Sequence, residues 1–112
     1  IEADSGRLKR FGYSKIKLIG VDVLTEHPLT GIRFEGYPVP YFHEAMGLAA
    51  KAASFMPDLR LVGWDVGIGE TGPVLIEGNS DYGINSNDLT YGGYMANETF
   101  RKVIRAAGKK QK

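Results

Sequence analysis

Between Leu61 and Asn79 the chain reads Leu-Val-Gly-Trp-Asp-Val-Gly-Ile-Gly-Glu-Thr-Gly-Pro-Val-Leu-Ile-Glu-Gly-Asn. Two apolar runs of strand length flank Glu70-Thr71-Gly72, and such a pattern folds as a β-hairpin. A three-residue loop with Gly72 in a left-handed conformation fits the composition. A loop of that length sets Gly69 against Pro73, Gly67 against Leu75 and Asp65 against Glu77. Alternation then puts Val62, Trp64, Val66 and Ile68 on a core face. Gly63, Asp65 and Gly67 fall on the other face, with Glu77 and Asn79 beside them.

That second face carries the chemistry. Two carboxylates and an amide oxygen converge above glycines, which leave room for a ligand. Like charges directly opposed on a sheet destabilise it, so the pair calls for a counter-charge. A hard divalent cation supplies one, because Mg²⁺ takes a few carboxylate oxygens and completes its shell with water and phosphate. The competing readings are a solvated polar face, or a lysine elsewhere that neutralises the pair.

The rest of the composition narrows the setting. A chain of 112 residues holds one domain with a modest core. A net charge of +1 and a sequence pI near 8.2 give no sign of a nucleic-acid or membrane surface. Without cysteine there is no disulfide framework and no thiolate ligand or nucleophile. The sequence has no apolar run of membrane-spanning length and no signal-peptide pattern, so a soluble, cytoplasmic protein is expected. The first residue is Ile1 rather than Met, which reads as a fragment.

Residues 1–14 suggest a hairpin around Asp4-Ser5-Gly6, with Asp4 capping its own backbone. Lys15 to Leu24 alternates as a strand, and Lys15 and Lys17 read as solvated residues at its end. His27-Pro28-Leu29-Thr30-Gly31 is a turn by composition. A lone histidine before proline usually hydrogen-bonds within its own loop, although it is also a candidate acid, base or ligand. Arg33, in a short strand over 31–36, is a candidate clamp for a carboxylate or phosphate, weighed against pairing with Glu35 or another surface acid.

Pro40 fits the first turn of a helix running to about Phe55. Its apolar face is Phe42, Ala45, Met46, Ala49, Ala52, Ala53 and Met56, opposite His43, Glu44 and Lys51. Pro57-Asp58 stops it. After Asn79 the chain turns polar and glycine-rich through Asp81, Asp88 and Tyr91-Gly92-Gly93-Tyr94. Ser80 and Gly83, in this loop beside the acidic face, join Arg33 as candidates for binding substrate or phosphate. Asn97 caps a last helix whose apolar face is Phe100, Val103, Ile104 and Ala107, with Arg105 near its end. Gly108 ends that helix, and Lys109, Lys110 and Lys112 form a basic tail.

Gly63-Trp64-Asp65 followed by Gly72-Pro73-Val74-Leu75-Ile76-Glu77-Gly78-Asn79 resembles the closing metal-binding segment of the ATP-grasp enzymes. His27-Pro28-Leu29-Thr30-Gly31 and Gly36-Tyr37-Pro38-Val39-Pro40-Tyr41 are similar to recurrent stretches of the sugar-transfer-associated branch, in the same order. The resemblance spans roughly residues 1 to 83. It implies that Asp65, Glu77 and Asn79 are ligands of Mg²⁺ (or Mn²⁺), and assigns no acid-base catalytic residue. Two positions depart from the family: Tyr82 stands where a proline commonly precedes the glycine, and Gly63 where related ligases often place a phosphate-binding arginine.

The expected fold is α+β, an antiparallel sheet covered by helices, as in the C-terminal lobe of an ATP-grasp fold. Residues 1–112 would form the C-terminal portion of an ATP-grasp domain, with the nucleotide-binding first half absent. The resemblance implies an ATP- and Mg-dependent carboxylate ligase that works through an acyl phosphate, in sugar or cell-envelope polymer biosynthesis. ATP and a carboxylate substrate would be partners of the full-length parent, and the isolated fragment would be inactive. A homodimer through surface bared by the missing half is also expected. The alternatives are a non-catalytic metal-binding or interaction module, and a purely structural α+β domain.

Overall fold

A computed structural model describes residues 1–14, 22–81, 83 and 93–108. Residues 15–21 of the strand expected over Lys15 to Leu24, with Lys15 and Lys17, as well as Tyr82, Asp88, Tyr91-Gly92 and the basic tail of Lys109, Lys110 and Lys112, lie outside the described residues. What is described is α+β, with two separate two-stranded antiparallel sheets rather than a single sheet.

The N-terminus turns back at once: Glu2 N–H donates to Arg7 O and Gly6 N–H to Glu2 O. Ser5 rather than Asp4 supplies the local side-chain cap, its Oγ accepting from Arg7 N–H and donating to Glu2. Gly6 has φ 66°, and an added Cβ there would lie 2.7 Å from the Phe42 ring. The first hairpin joins strands further on: β1 (Gly12–Ser14) pairs with β2 (Asp22–Leu24), Tyr13 opposite Val23. The strand expected over 31–36 reduces to a bridge between Glu26 and Arg33, because Gly36 at φ 76° turns the chain again.

Helix α1 (Phe42–Ser54) starts two residues later than Pro40 suggests. Tyr41 precedes it in a left-handed conformation at φ 54°, which no Pro-initiated first turn permits at that position. This geometry sends the Tyr41 hydroxyl to the far hairpin, where it donates to Glu70 O at 3.1 Å. Phe42, Ala45, Leu48, Ala49, Ala52, Ala53 and Met56 are half-buried, spaced as one helical face. Met46, expected on that face, is 55% exposed, and Leu48 takes its place. The helix packs against both strands of the main hairpin, and its alanines allow the close approach.

That hairpin is β3 (Gly63–Gly69) and β4 (Gly72–Asn79). Its turn is shorter than expected: Gly72 pairs with Gly69, leaving Glu70-Thr71 as a two-residue loop. Neither loop residue has positive φ, so the turn is not of the primed kind that matches strand twist. Gly72, at φ 138°, absorbs the difference. The expected pairs Gly69–Pro73 and Gly67–Leu75 are therefore replaced by Ile68–Pro73, Gly67–Val74 and Val66–Leu75.

A 3₁₀ turn (Tyr94–Ala96) leads into α2 (Glu98–Gly108). Asn97 caps α2 as expected, its Oδ1 accepting from Phe100 N–H at 3.0 Å. Arg101 ties the turn to the helix by donating to Met95 O at 2.7 Å, and the Tyr94 and Phe100 rings stack with centroids 4.8 Å apart. Among the described residues α2 packs chiefly on its own 3₁₀ turn. Among the described residues no large side chain is fully buried, and no helix is long and apolar enough to cross a membrane.

Candidate functional site

The shortened turn alone would spoil the carboxylate pair. Continuing its register puts Ile76 opposite Asp65 and turns Glu77 toward the helix-covered face. A β-bulge prevents this. The register shifts between Asp65 and Val66, so that Leu75 faces Val66 while Glu77, two residues on, faces Asp65. Ile76 is the extra residue, and beyond it the pairing is the one the site needs.

Downstream of the bulge Gly78 opposes Trp64 and Asn79 opposes Gly63. Trp64 lies flat across the strand: a Cβ on Gly78 would come 2.5 Å from its ring. Only glycine fits there, and the packed indole holds the end of β4 in place. Asp65, Glu77 and Asn79 project from the opposite, exposed face. Asn79 Nδ2 donates to Glu77 Oε1 at 2.9 Å. That bond orients the amide and leaves its oxygen available to an electropositive ligand.

Among the described residues neither Asp65 nor Glu77 has a cationic partner; an ion pair does form between Lys102 and Glu98 at 2.8 Å, on exposed α2. A lysine that neutralises the hairpin pair is therefore not found there. Nor does any group of three His, Cys, Asp or Glu side chains converge among the described residues. The donor set is two carboxylates and one amide oxygen, all hard oxygens. This fits Mg²⁺, which keeps several waters and takes only one or two carboxylates from the protein.

The face is less bare than glycines alone suggest. Ile76 occupies the space above Gly67, its Cδ1 3.2 Å from where a Cβ would be. Val74, paired with Gly67, shares this side. The two are 61% and 69% exposed, Val74 and Ile76 respectively. The polar site thus continues into an apolar patch that sequence reasoning missed. A signal was present: Val74-Leu75-Ile76 are three consecutive apolar residues, which breaks the alternation and marks a bulge.

The other candidates lie apart. Arg33 is exposed, bridged through its backbone to Glu26, and forms no ion pair with Glu35 or another acid among the described residues. Ser80 bends the chain directly after Asn79, and Gly83 is exposed beyond it. The structure brings Asp65, Glu77 and Asn79 together, keeps Ser80 next to them in the chain, and does not join Arg33 to them. His27 binds within its own loop, its Nδ1 accepting from Leu29 N–H at 3.4 Å and Thr30 N–H at 3.3 Å.

Comparison with known proteins finds a family model, sugar-transfer associated ATP-grasp, that matches residues 3–103. No curated protein and no solved structure matches the chain.

Proposed function

Since the chain belongs to the sugar-transfer associated ATP-grasp family, we propose that it forms the C-terminal portion of an ATP-grasp-type carboxylate ligase whose hairpin holds Mg²⁺ (or Mn²⁺). The observation that carries this reading is the bulge. A one-residue irregularity in β4 is what puts Glu77 opposite Asp65, at the cost of opposing two like charges without a cation. A structural hairpin has no use for that arrangement.

Asp65, Glu77 and the oxygen of Asn79 would hold the metal. When bound, the metal supplies positive charge to the phosphates of ATP, as in phosphoryl transfer generally. The protein groups act as anchors. Carboxylates committed to a cation are held deprotonated, so neither Asp65 nor Glu77 moves a proton. Asn79, its amide oriented by Glu77, would add its oxygen to the ligand set. Val74 and Ile76, exposed on the same side, offer a dry surface for the uncharged part of a nucleotide. Trp64 and Gly78 lock the strand register from behind.

The ligase reading includes a carboxylate substrate activated as an acyl phosphate. A role in making a sugar or cell-envelope polymer rests on the family alone. Met46 on α1 and Phe55 after it, the latter 77% exposed, are the surface through which a second copy or a nucleotide-binding half would pack. Ser80 and Gly83 remain candidates for phosphate contact through their backbone, and Arg33 for a more distant substrate group.

The chain's single tryptophan gives a direct test. Titration with a nonhydrolysable ATP analogue is expected to change Trp64 fluorescence only when Mg²⁺ is present. A change that is equal with and without Mg²⁺ would show that nucleotide does not meet the protein through the metal, and would remove the basis of this reading.

A further inference from the structure

The β3–β4 hairpin can reach its far pairing by two routes. In the structure the loop is Glu70-Thr71, and the bulge at Ile76 restores the pairing beyond it. A three-residue loop, Glu70-Thr71-Gly72, with no bulge ends in the same place, with Asp65 opposite Glu77, Trp64 opposite Gly78 and Gly63 opposite Asn79. Between turn and bulge the two arrangements differ. The first pairs Ile68 with Pro73, Gly67 with Val74 and Val66 with Leu75. The second pairs Gly69 with Pro73, Ile68 with Val74, Gly67 with Leu75 and Val66 with Ile76, so that Val74, Leu75 and Ile76 all change face.

Three observations support the second arrangement as accessible. The loop residues suit it: neither Glu70 nor Thr71 has positive φ and Gly72 does, at 138°, and three-residue hairpin loops combine a turn of that kind with a glycine at positive φ. The side chains gain from it. Val74 and Ile76 are 61% and 69% exposed, while Leu75 between them is half-buried beside Val66. The exchange turns two β-branched apolar residues toward α1 and only one, Leu75, away from it. There is also room for it. Gly67 has no Cβ, and Ile76 Cδ1 lies 3.2 Å from where one would be, which is the space Leu75 takes when it comes opposite Gly67.

We propose that the hairpin is a two-register switch, in which the bulge moves between Ile76 and the turn and carries Val74 and Ile76 off the exposed face while Asp65 stays opposite Glu77. The apolar patch beside the carboxylates is present in one register and reduced to Leu75 in the other. A ligand that uses Val74 and Ile76 selects the register seen here, whereas a charge held by the carboxylates alone selects neither. The switch rests on the pairing geometry and stands whether or not the pair binds metal.

The chain has no cysteine, so paired cysteine substitutions in oxidised glutathione read the register directly. Val66→Cys with Leu75→Cys is opposed in the register seen and should close fastest, since opposed Cα atoms lie about 4.5 to 5.5 Å apart, within disulfide range. Val66→Cys with Ile76→Cys sets the thiols on opposite faces in that register and opposes them in the other. It should close at least about tenfold faster than Val66→Cys with Glu77→Cys, whose thiols lie on opposite faces in both registers and close a loop of nearly equal length. Adding Val74→Asn, which only the second register turns toward α1, should slow the Ile76 pair by about tenfold and leave the Leu75 pair unchanged. Trp64 fluorescence checks that each reduced variant is folded. Where Val66→Cys is not tolerated, Ile68→Cys with Val74→Cys gives the same reading, because both positions are exposed and are opposed only in the second register. An Ile76 pair that closes no faster than the Glu77 pair overturns the proposal, as does one indifferent to Val74→Asn. Closure of the Ile76 pair ahead of the Leu75 pair overturns it as well, because the bulge would then not rest at Ile76.

Discussion

At the residue scale the site depends on a pair that gains nothing from being where it is unless a cation joins it. Opposed carboxylates on adjacent strands repel by a few tenths of a kcal/mol to about 1 kcal/mol. Asp65→Asn is therefore expected to stabilise the metal-free chain slightly, by about 0.5 kcal/mol in urea unfolding, while it weakens divalent-cation binding. A loss of stability instead would mean that Asp65 serves the fold. Gly78 makes the opposite point. Its missing Cβ is space that the Trp64 ring fills, so Gly78→Ala should displace the indole, shift its emission to the red and cost about 1 to 3 kcal/mol as overpacking does. An unchanged spectrum would place the ring elsewhere in solution.

At the scale of elements, the bulge decides the register. Deleting Ile76 restores a regular ladder in which Glu77 follows Leu75 and still opposes Asp65. The deletion should keep cation affinity within about threefold of wild type while removing part of the apolar patch; a complete loss in calorimetry would mean that the bulge aims the carboxylate as well as spacing it. Much of this element was legible in advance. The alternation through Gly63-Trp64-Asp65-Val66 identifies which residues share a face, and Asp65 opposite Glu77 follows correctly. It followed from a three-residue loop that does not form, however, and the pairing is reached by a shorter turn followed by a bulge. Two single-residue displacements cancel, and a period-2 pattern is blind to such a cancellation. Tyr41 was illegible for another reason. Pro40 carries a local preference for a helix start, but the left-handed φ at Tyr41 goes with a hydroxyl that reaches Glu70 O, a tertiary contact across the chain. Asn97 was legible because a cap is settled within four residues.

At the scale of the whole molecule, the outstanding property is the surface. A compact protein of this mass exposes about 6,100 Å², whereas this chain exposes 9107 Å². Its radius of gyration is 16.0 Å against about 13 Å for a compact domain of the same length. With no large side chain fully buried among the described residues, cohesion rests on half-buried contacts between α1 and the hairpin. Calorimetric unfolding of the isolated chain should accordingly absorb well under the roughly 80 kcal/mol expected of a compact domain this long. The full enthalpy, measured at a concentration where the chain is monomeric, would show a core that closes without a partner. This exposed surface is consistent with a lobe completed by packing against another unit.

The most direct measurement is calorimetric titration of the chain with Mg²⁺ and Mn²⁺, on wild type and on Asp65→Asn combined with Glu77→Gln. Binding by the wild type that disappears in the double variant, with the hairpin still folded by Trp64 fluorescence, is the predicted result. Equal binding by the two proteins, or none by either even with an ATP analogue present, would contradict the assignment of the metal to this hairpin.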